Sequence, residues 1–344
     1  MSLQPMTEME RETRESPEAV ARLLDASLGD LIGLGRRLSA LAPPVVVTSA
    51  RGTSDHAAGY LKYLLEIATG TPVASLGPSL ASVYGAPLRL HGSVLFTISQ
   101  SGRSPDIVAL QDAARAAGAL TVALVNVADS PVSKAADVVI PLCAGVERSV
   151  AATKSFIAAV AAAAAIVAAW AGDERLLDAV YDLPRSLAGA LVADWSLLEA
   201  PLSAAASCYM VGRGPALAIA QEAALKSKEA AAIHAEAFST AEIMHGPLRL
   251  VGEDFPILAF LPEDKAAEAG RAALERLAAA GGRVFAAATA HAPGLCLPVA
   301  KTGHAHLDPL SMAVSFYRLI EKVSRLRGFE PDNPPHLRKV TETH

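Results

Sequence analysis

Apolar positions along the chain fall into two kinds of run. From Glu18 to Leu41 they sit at Val20, Leu23, Leu24, Leu28, Leu31, Leu34, Leu38 and Leu41. That spacing is close to 3.6 residues and predicts a helix, which Pro43-Pro44 stops. The next run, Val45-Val46-Val47, has no polar position and reads as a buried strand. A turn of small residues, Ser49 to Ser54, then opens a helix through Leu65. Short strands are predicted at Pro72 to Leu76 and Ser93 to Ile98, the second running straight into Ser99-Gln100-Ser101-Gly102. Ser104, Pro105 and Asp106 follow in the N-cap, N1 and N2 pattern of a helix start. That helix ends near Gly118, and strands follow at Thr121 to Asn126 and Val138 to Leu142. Continuously apolar strands alternating with helices predict an α/β fold with a parallel sheet covered on both faces.

After a long helical stretch, Ala151 to Leu198, broken near Gly172-Asp173 and Pro184, the pattern restarts. Strands are predicted at Ser207 to Val211, Ile257 to Leu261, Arg283 to Ala287 and Leu295 to Val299. Helices are predicted from Gly214 to about Ala231, Asp264 to Ala280 and Met312 to Arg327. The two halves align. Strand-Arg51-Gly52-helix matches strand-Arg213-Gly214-helix, and the strand ending at Ser99 matches the one ending at Leu261. Gly118-Ala119 matches Gly281-Gly282. A duplicated open α/β domain accounts for this. The expected organisation is a helical segment over 1–42, domains over 43–185 and 186–327, and a Pro-rich tail over 328–344.

Composition adjusts this picture only slightly. The chain has 344 residues, of which 52% are hydrophobic and 19% charged, enough for large cores without covalent staples. Aromatics at 5% and a net charge of -5 give no basis for nucleic acid or an anionic membrane as partner. Cys143, Cys208 and Cys296 stand singly, so neither a disulfide framework nor a zinc site is suggested. No cofactor or metal is expected. The N-terminus is polar, without an apolar leader. The most apolar stretch, Phe156 to Ala171, is shorter than a membrane span and reads as a buried helix. A cytoplasmic protein is expected.

The candidate chemistry lies beyond the carboxyl ends of the first-half strands, where ligands of open parallel sheets bind. Gly52-Thr53-Ser54 and Ser99-Gln100-Ser101-Gly102-Arg103-Ser104 each precede a helix N-terminus, whose free N–H groups favour an anion. Helix caps alone would account for Ser54 or Ser104 singly. Two such loops at successive strand ends point to a phosphate. The second half has Pro262-Glu263-Asp264 in the matching place, and acidic residues repel an anion.

These loops resemble the SIS (sugar isomerase) family, which includes the isomerase portion of glucosamine-6-phosphate synthase and stand-alone amino-sugar phosphate isomerases and deaminases. Further matching stretches are Val150-Ala151-Ala152-Thr153-Lys154, Glu222 to Glu229, Ile233 to Phe238, Glu242 to Leu248, and the tail Leu337-Arg338-Lys339-Val340-Thr341. The resemblance implies tandem SIS domains, each with a five-stranded parallel sheet, in a homodimer with active sites at the subunit interface. It implies a sugar phosphate substrate held at Thr53, Ser54, Ser99, Gln100, Ser101 and Ser104. It also implies a catalytic carboxylate at Glu229 with Lys226 nearby, a ring-opening histidine at His245 and a C-terminal lysine at Lys339. Departures are the lack of a glutaminase domain and of an N-terminal Cys-Gly start, Ser104 in place of threonine, and the added positive charge of Arg51 and Arg103.

The residues themselves suit these roles. Glu222, Lys226 and Glu229 share one helix face at i, i+4 and i+7, on a helix otherwise rich in alanine. An exposed salt-bridge stripe is the ordinary meaning of that spacing, but burial would demand partners or a task. His245 precedes Gly246-Pro247 in a loop, and an imidazole can protonate a ring oxygen near neutrality. Lys339 is a candidate for an imine with an open-chain ketose. The expected reaction is D-glucosamine 6-phosphate and water to D-fructose 6-phosphate and ammonia, with the missing glutaminase domain favouring that direction. The alternatives are a transaminase-like isomerase or deglycase on another amino-linked sugar phosphate, and a non-catalytic sugar-phosphate sensor.

Overall fold

The computed structural model describes residues 5–339. Val340 and Thr341 of the tail motif lie outside the described residues. Contacts divide the chain into two compact units, each built on one parallel five-stranded sheet. Among the described residues, the first-sheet unit comprises residues 18–147, 154–181 and 338–339, and the second-sheet unit comprises residues 5–17, 148–153 and 182–337.

The first sheet consists of β1 (Val46–Ser49), β2 (Val73–Ser75), β3 (Val94–Ser99), β4 (Leu120–Val125) and β5 (Val138–Pro141), in the order β2-β1-β3-β4-β5. The second consists of β6 (Ser207–Gly212), β7 (His234–Ser239), β8 (Pro256–Leu261), β9 (Arg283–Ala288) and β10 (Leu295–Leu297), in the order β10-β9-β8-β6-β7. Renumbered from its first strand, the second sheet repeats the 2-1-3-4-5 order of the first. The internal duplication read from the sequence is therefore present strand by strand.

The match extends to single backbone angles. Gly52 has φ 54° and ψ -130°, and Gly214 has φ 59° and ψ -135°. Each caps the helix after the first strand of its half, in a region of φ/ψ space that only glycine enters at low cost. β1 and β3 are buried along their whole length, as strands covered on both faces must be.

Three features differ from the sequence expectation. A helix over Glu8–Arg14 precedes the long one, which runs from Ser16 to Leu41. The stretch Ala151 to Leu198 is interrupted at both expected breaks, giving helices at Lys154–Ala171, Glu174–Tyr181 and Leu183–Ala190, but it begins later than read and ends in a non-helical 193–195 and a short 3-10 turn at Ser196–Leu198. β7 has no counterpart among the strands read from apolar runs. Its sequence, His-Ala-Glu-Ala-Phe-Ser, alternates polar and apolar residues and is mostly half-buried, because it sits at a sheet edge with β6 as its one neighbour.

The helix Lys154–Ala171 is long and apolar enough to cross a membrane by length and composition. It is instead a core helix of the first-sheet unit, in contact with the helices Thr53–Thr69 and Glu174–Tyr181. Every residue from Lys154 to Trp170 except Ala169 is buried.

Candidate active site

In a 2-1-3-4-5 sheet the chain departs to opposite sides after the first and third strands, so a crevice opens between their carboxyl ends. In the first sheet those ends are Ser49 of β1 and Ser99 of β3, which are neighbouring strands. The loops that follow line a cavity of about 320 Å³. Ser54, Ser99, Gln100, Ser101 and Ser104 are on its wall, together with Arg51 and Lys339. Thr53, in the first turn of its helix, is half-buried and is not among the lining residues.

The hydroxyls are arranged as donors. The Gly102 N–H donates to Ser99 Oγ at 2.9 Å, and the Arg103 N–H donates to Ser101 Oγ at 3.3 Å. Each oxygen is thus engaged as an acceptor, and its own proton remains to be given. Ser104 occupies the N-cap position of the helix Pro105–Ala116, yet its side chain makes no capping hydrogen bond. The N-cap of the helix Thr53–Thr69 is Gly52, so Ser54 is no cap either. Gly102 is required twice over. Its φ is +62°, and a Cβ there would come within 2.2 Å of Ser130 Oγ.

Of Arg51 and Arg103, only Arg51 reaches this pocket. Arg103 is exposed and outside the lining. Arg51 donates from Nε and Nη2 to Asp106 Oδ2 at 3.0 and 2.8 Å, so its charge is balanced by a buried carboxylate. Lys339 is likewise paired. Its Nζ lies 3.0 Å from Glu147 Oε2, and Glu147, fully buried, also accepts from the N–H and Oγ of Ser155 at 3.1 and 2.7 Å. The tail lysine that would by default belong to a disordered terminus is held at the pocket by this ion pair.

In the second-sheet unit, the helix Pro215–Ala231 carries the other charged set. Lys226 is wholly buried, 3.1 Å from Glu222 Oε1 and 2.7 Å from Glu229 Oε2. Tyr317 donates its hydroxyl to Glu222 Oε1 at 3.1 Å. Glu222 is 1% exposed and Glu229 20%, so Glu229 is the end of the cluster that opens toward solvent. Burial works to lower the Lys226 pKa, but the charges and hydrogen bonds of Glu222 and Glu229 outweigh it and raise the value. Lys226 is therefore a fixed ammonium that orients Glu229. The ordinary exposed-stripe meaning of this spacing does not hold here. His245 is exposed at the end of a short 3-10 turn, Glu242–Met244, where its N–H donates to the Glu242 carbonyl at 2.9 Å.

The same crevice position of the second sheet holds Glu263, which is paired with Arg271 at 2.9 Å. It presents an acidic loop where the first half presents serines. Among the described residues, no group of three or more His, Cys, Asp or Glu side chains is disposed to hold a metal ion. Asp106, Glu147 and Tyr317 were not read as site residues from the sequence. Asp106 carried only a helix-start signal, and the other two carried none.

Comparison with known proteins agrees with this geometry. The SIS domain family profile matches residues 44–169 and 202–292. Glutamine–fructose-6-phosphate aminotransferase (isomerizing) of Caulobacter vibrioides is 31% identical over 353 residues, covering 96% of this chain and 58% of that protein. The chain spans about half the length of the curated relatives it matches. A crystal structure from Silicibacter pomeroyi DSS-3, provisionally designated a phosphosugar isomerase, superposes with a TM-score of 0.91 at 44% identity, covering 95% of this chain and 100% of that one. The C-terminal domain of glucosamine-fructose-6-phosphate aminotransferase from Francisella tularensis superposes with a TM-score of 0.83 at 25% identity, covering 97% and 100%. By the profile match, the duplicated sheets and the serine loop at the first sheet's crevice, the chain belongs to the SIS domain family.

Proposed function

We propose that this protein is a phosphosugar isomerase acting on an amino-sugar phosphate, and that it converts D-glucosamine 6-phosphate and water to D-fructose 6-phosphate and ammonia. The observation that carries the reading is the pocket itself. Uncapped hydroxyls and a tail lysine gather at the topological switch point of one sheet, and the equivalent loop of the other sheet is acidic. The amino-sugar substrate is inferred from relatives whose names pair fructose 6-phosphate with amination and isomerisation.

In this reading the phosphate is held by Ser54, Ser99, Gln100, Ser101 and Ser104, with Thr53 contributing from the adjoining helix turn. His245 protonates the ring oxygen and opens the sugar. Glu229, oriented by Lys226, takes the proton from C2 of the open-chain amino aldose and returns it to C1 through an enolamine. The product carries an imine at C2. Water adds there, the C–N bond breaks, and ammonia leaves as the ketone forms. Lys339 is the candidate amine for exchange with that imine. The reading includes a homodimer, which sedimentation analysis of the purified protein tests.

Purified protein given glucosamine 6-phosphate is expected to release fructose 6-phosphate and ammonia in equal amounts. Glu229→Gln is expected to lower kcat by roughly 10²–10⁴-fold while still binding the substrate. Release of ketose without ammonia from a different amine-linked sugar phosphate would move the assignment to a deglycase. Tight binding with no turnover of any member of a sugar-phosphate panel would make the protein a sensor and sink the enzymatic reading.

A further inference from the structure

The phosphate pocket is assembled from two loops that are separate in sequence, each ending in a helix N-terminus. Such a site binds well only if the two ends keep a fixed separation, because the N–H groups and hydroxyls of both must converge on one anion. Arg51 is the last residue before the Gly52 cap of one helix. Asp106 lies in the first turn of the other. Their side chains meet in two hydrogen bonds to a single oxygen, Asp106 Oδ2. Asp106 is 2% exposed, whereas Arg51 is 52% exposed and lies on the pocket wall. Among the described residues, the Nη1 group of Arg51 has no protein acceptor.

The second half supplies an internal control. Arg213-Gly214 repeats the sequence of Arg51-Gly52, and Gly214 repeats the backbone angles of Gly52. Arg213 is nevertheless exposed and joins no ion pair among the described residues. The bridge is therefore not a by-product of the repeated turn. It occurs where the loops carry hydroxyls and is missing where they are acidic.

We propose that Arg51 is a positioning residue for phosphate recognition, locking the Gly52–Ser54 loop to the Ser99–Ser104 loop through Asp106 and offering Nη1 to the bound phosphate. Because Asp106 already balances its charge, Arg51 acts through the geometry of its planar fork more than through added positive charge. The inference rests on the phosphate-pocket reading above. It makes a distinction that simple charge attraction does not, since lysine keeps the charge but cannot supply two donors in a fixed fork.

The test is calorimetric titration of the full chain with inorganic phosphate and with glucosamine 6-phosphate. Arg51→Ala is expected to weaken both by about 10-fold or more, equivalent to ~1.4 kcal/mol. Arg51→Lys is expected to weaken both at least ~3-fold despite the retained charge, and Arg213→Ala is expected to leave both unchanged. If Arg51→Ala unfolds because Asp106 is orphaned, the double variant Arg51→Ala/Asp106→Asn removes the buried charge and is titrated instead. Affinity of the folded variant within a factor of about two of wild type overturns the proposal, since such changes are no larger than surface ion pairs give. Arg51→Lys binding like wild type overturns the geometric part. Wild type that binds neither ligand overturns the phosphate pocket itself, and this inference with it. Wild type that binds with Arg51→Ala unchanged defeats the inference alone.

Discussion

A serine at a helix start usually spends its hydroxyl on the helix. Ser104 does not, and Gly102 is the reason the loop can turn its hydroxyls elsewhere. Gly102→Ala would force a left-handed alanine and press a methyl group onto Ser130. A destabilisation of about 1–3 kcal/mol is expected from the backbone alone, with a parallel loss of phosphate affinity, both readable from urea melts and calorimetry. Lys226 makes the corresponding prediction for the charged cluster. Lys226→Met leaves the buried Glu222 without its ammonium and should cost about 3–5 kcal/mol of unfolding free energy. The pKa of Lys226 is raised in the folded chain, so the folded state binds its proton more tightly than the unfolded state does. Its contribution to stability is therefore fully present below the ordinary lysine value of about 10.4 and is lost as pH rises through the folded value. Denaturant midpoints of wild type should carry an alkaline loss that Lys226→Met lacks. At this scale the sequence showed types and spacing but not partners. Glu222, Lys226 and Glu229 were legible because they lie on one helix. Asp106 and Glu147 were not, because their partners Arg51 and Lys339 are 55 and 192 residues away in the chain.

Elements were legible where burial is uniform. β3 and β4 are mostly apolar and buried almost from end to end, being covered on both faces, and were read within a residue or two of their bounds. β7 was not, since an edge strand needs no apolar run and its polar and apolar positions alternate, most of them half-buried. The helix Lys154–Ala171 was legible as core because its alanines leave no polar face. Those alanines, from Ala158 to Ala168, are buried, and a close-packed interior leaves little room for a larger side chain. Ala162, fully buried, is the position to test. Ala162→Leu is expected to destabilise by about 1–3 kcal/mol through overpacking, whereas a helix with slack around it would tolerate or gain from the change. A thermal melt of the single variant decides between these.

Over the whole chain, the governing feature is duplication followed by divergence at one loop. Two sheets share one strand order, yet the loop after the third strand carries serines that line a cavity in one, and Glu263, paired with Arg271, in the other. The repeat was legible from the order of strands and from the paired Arg-Gly turns. What set the halves apart was legible from the charge of the loops alone. What escaped was the placement of the N-terminal segment. Residues 5–17 group with the second sheet, through contacts such as the Thr7 hydroxyl to Glu321 and the Glu8 and Met9 N–H groups to Asp332. These partners lie at the far end of the chain, so no local pattern encodes them. One phosphate per chain, and not two, is the stoichiometry this asymmetry predicts. The most direct measurement is a crystal structure of the protein with glucosamine 6-phosphate bound. A single phosphate within hydrogen-bond distance of the Ser99, Ser101 and Ser104 hydroxyls, with Lys339 at the sugar, is the predicted result. A phosphate bound in the second crevice, or away from the Ser99–Ser104 loop altogether, would contradict the account.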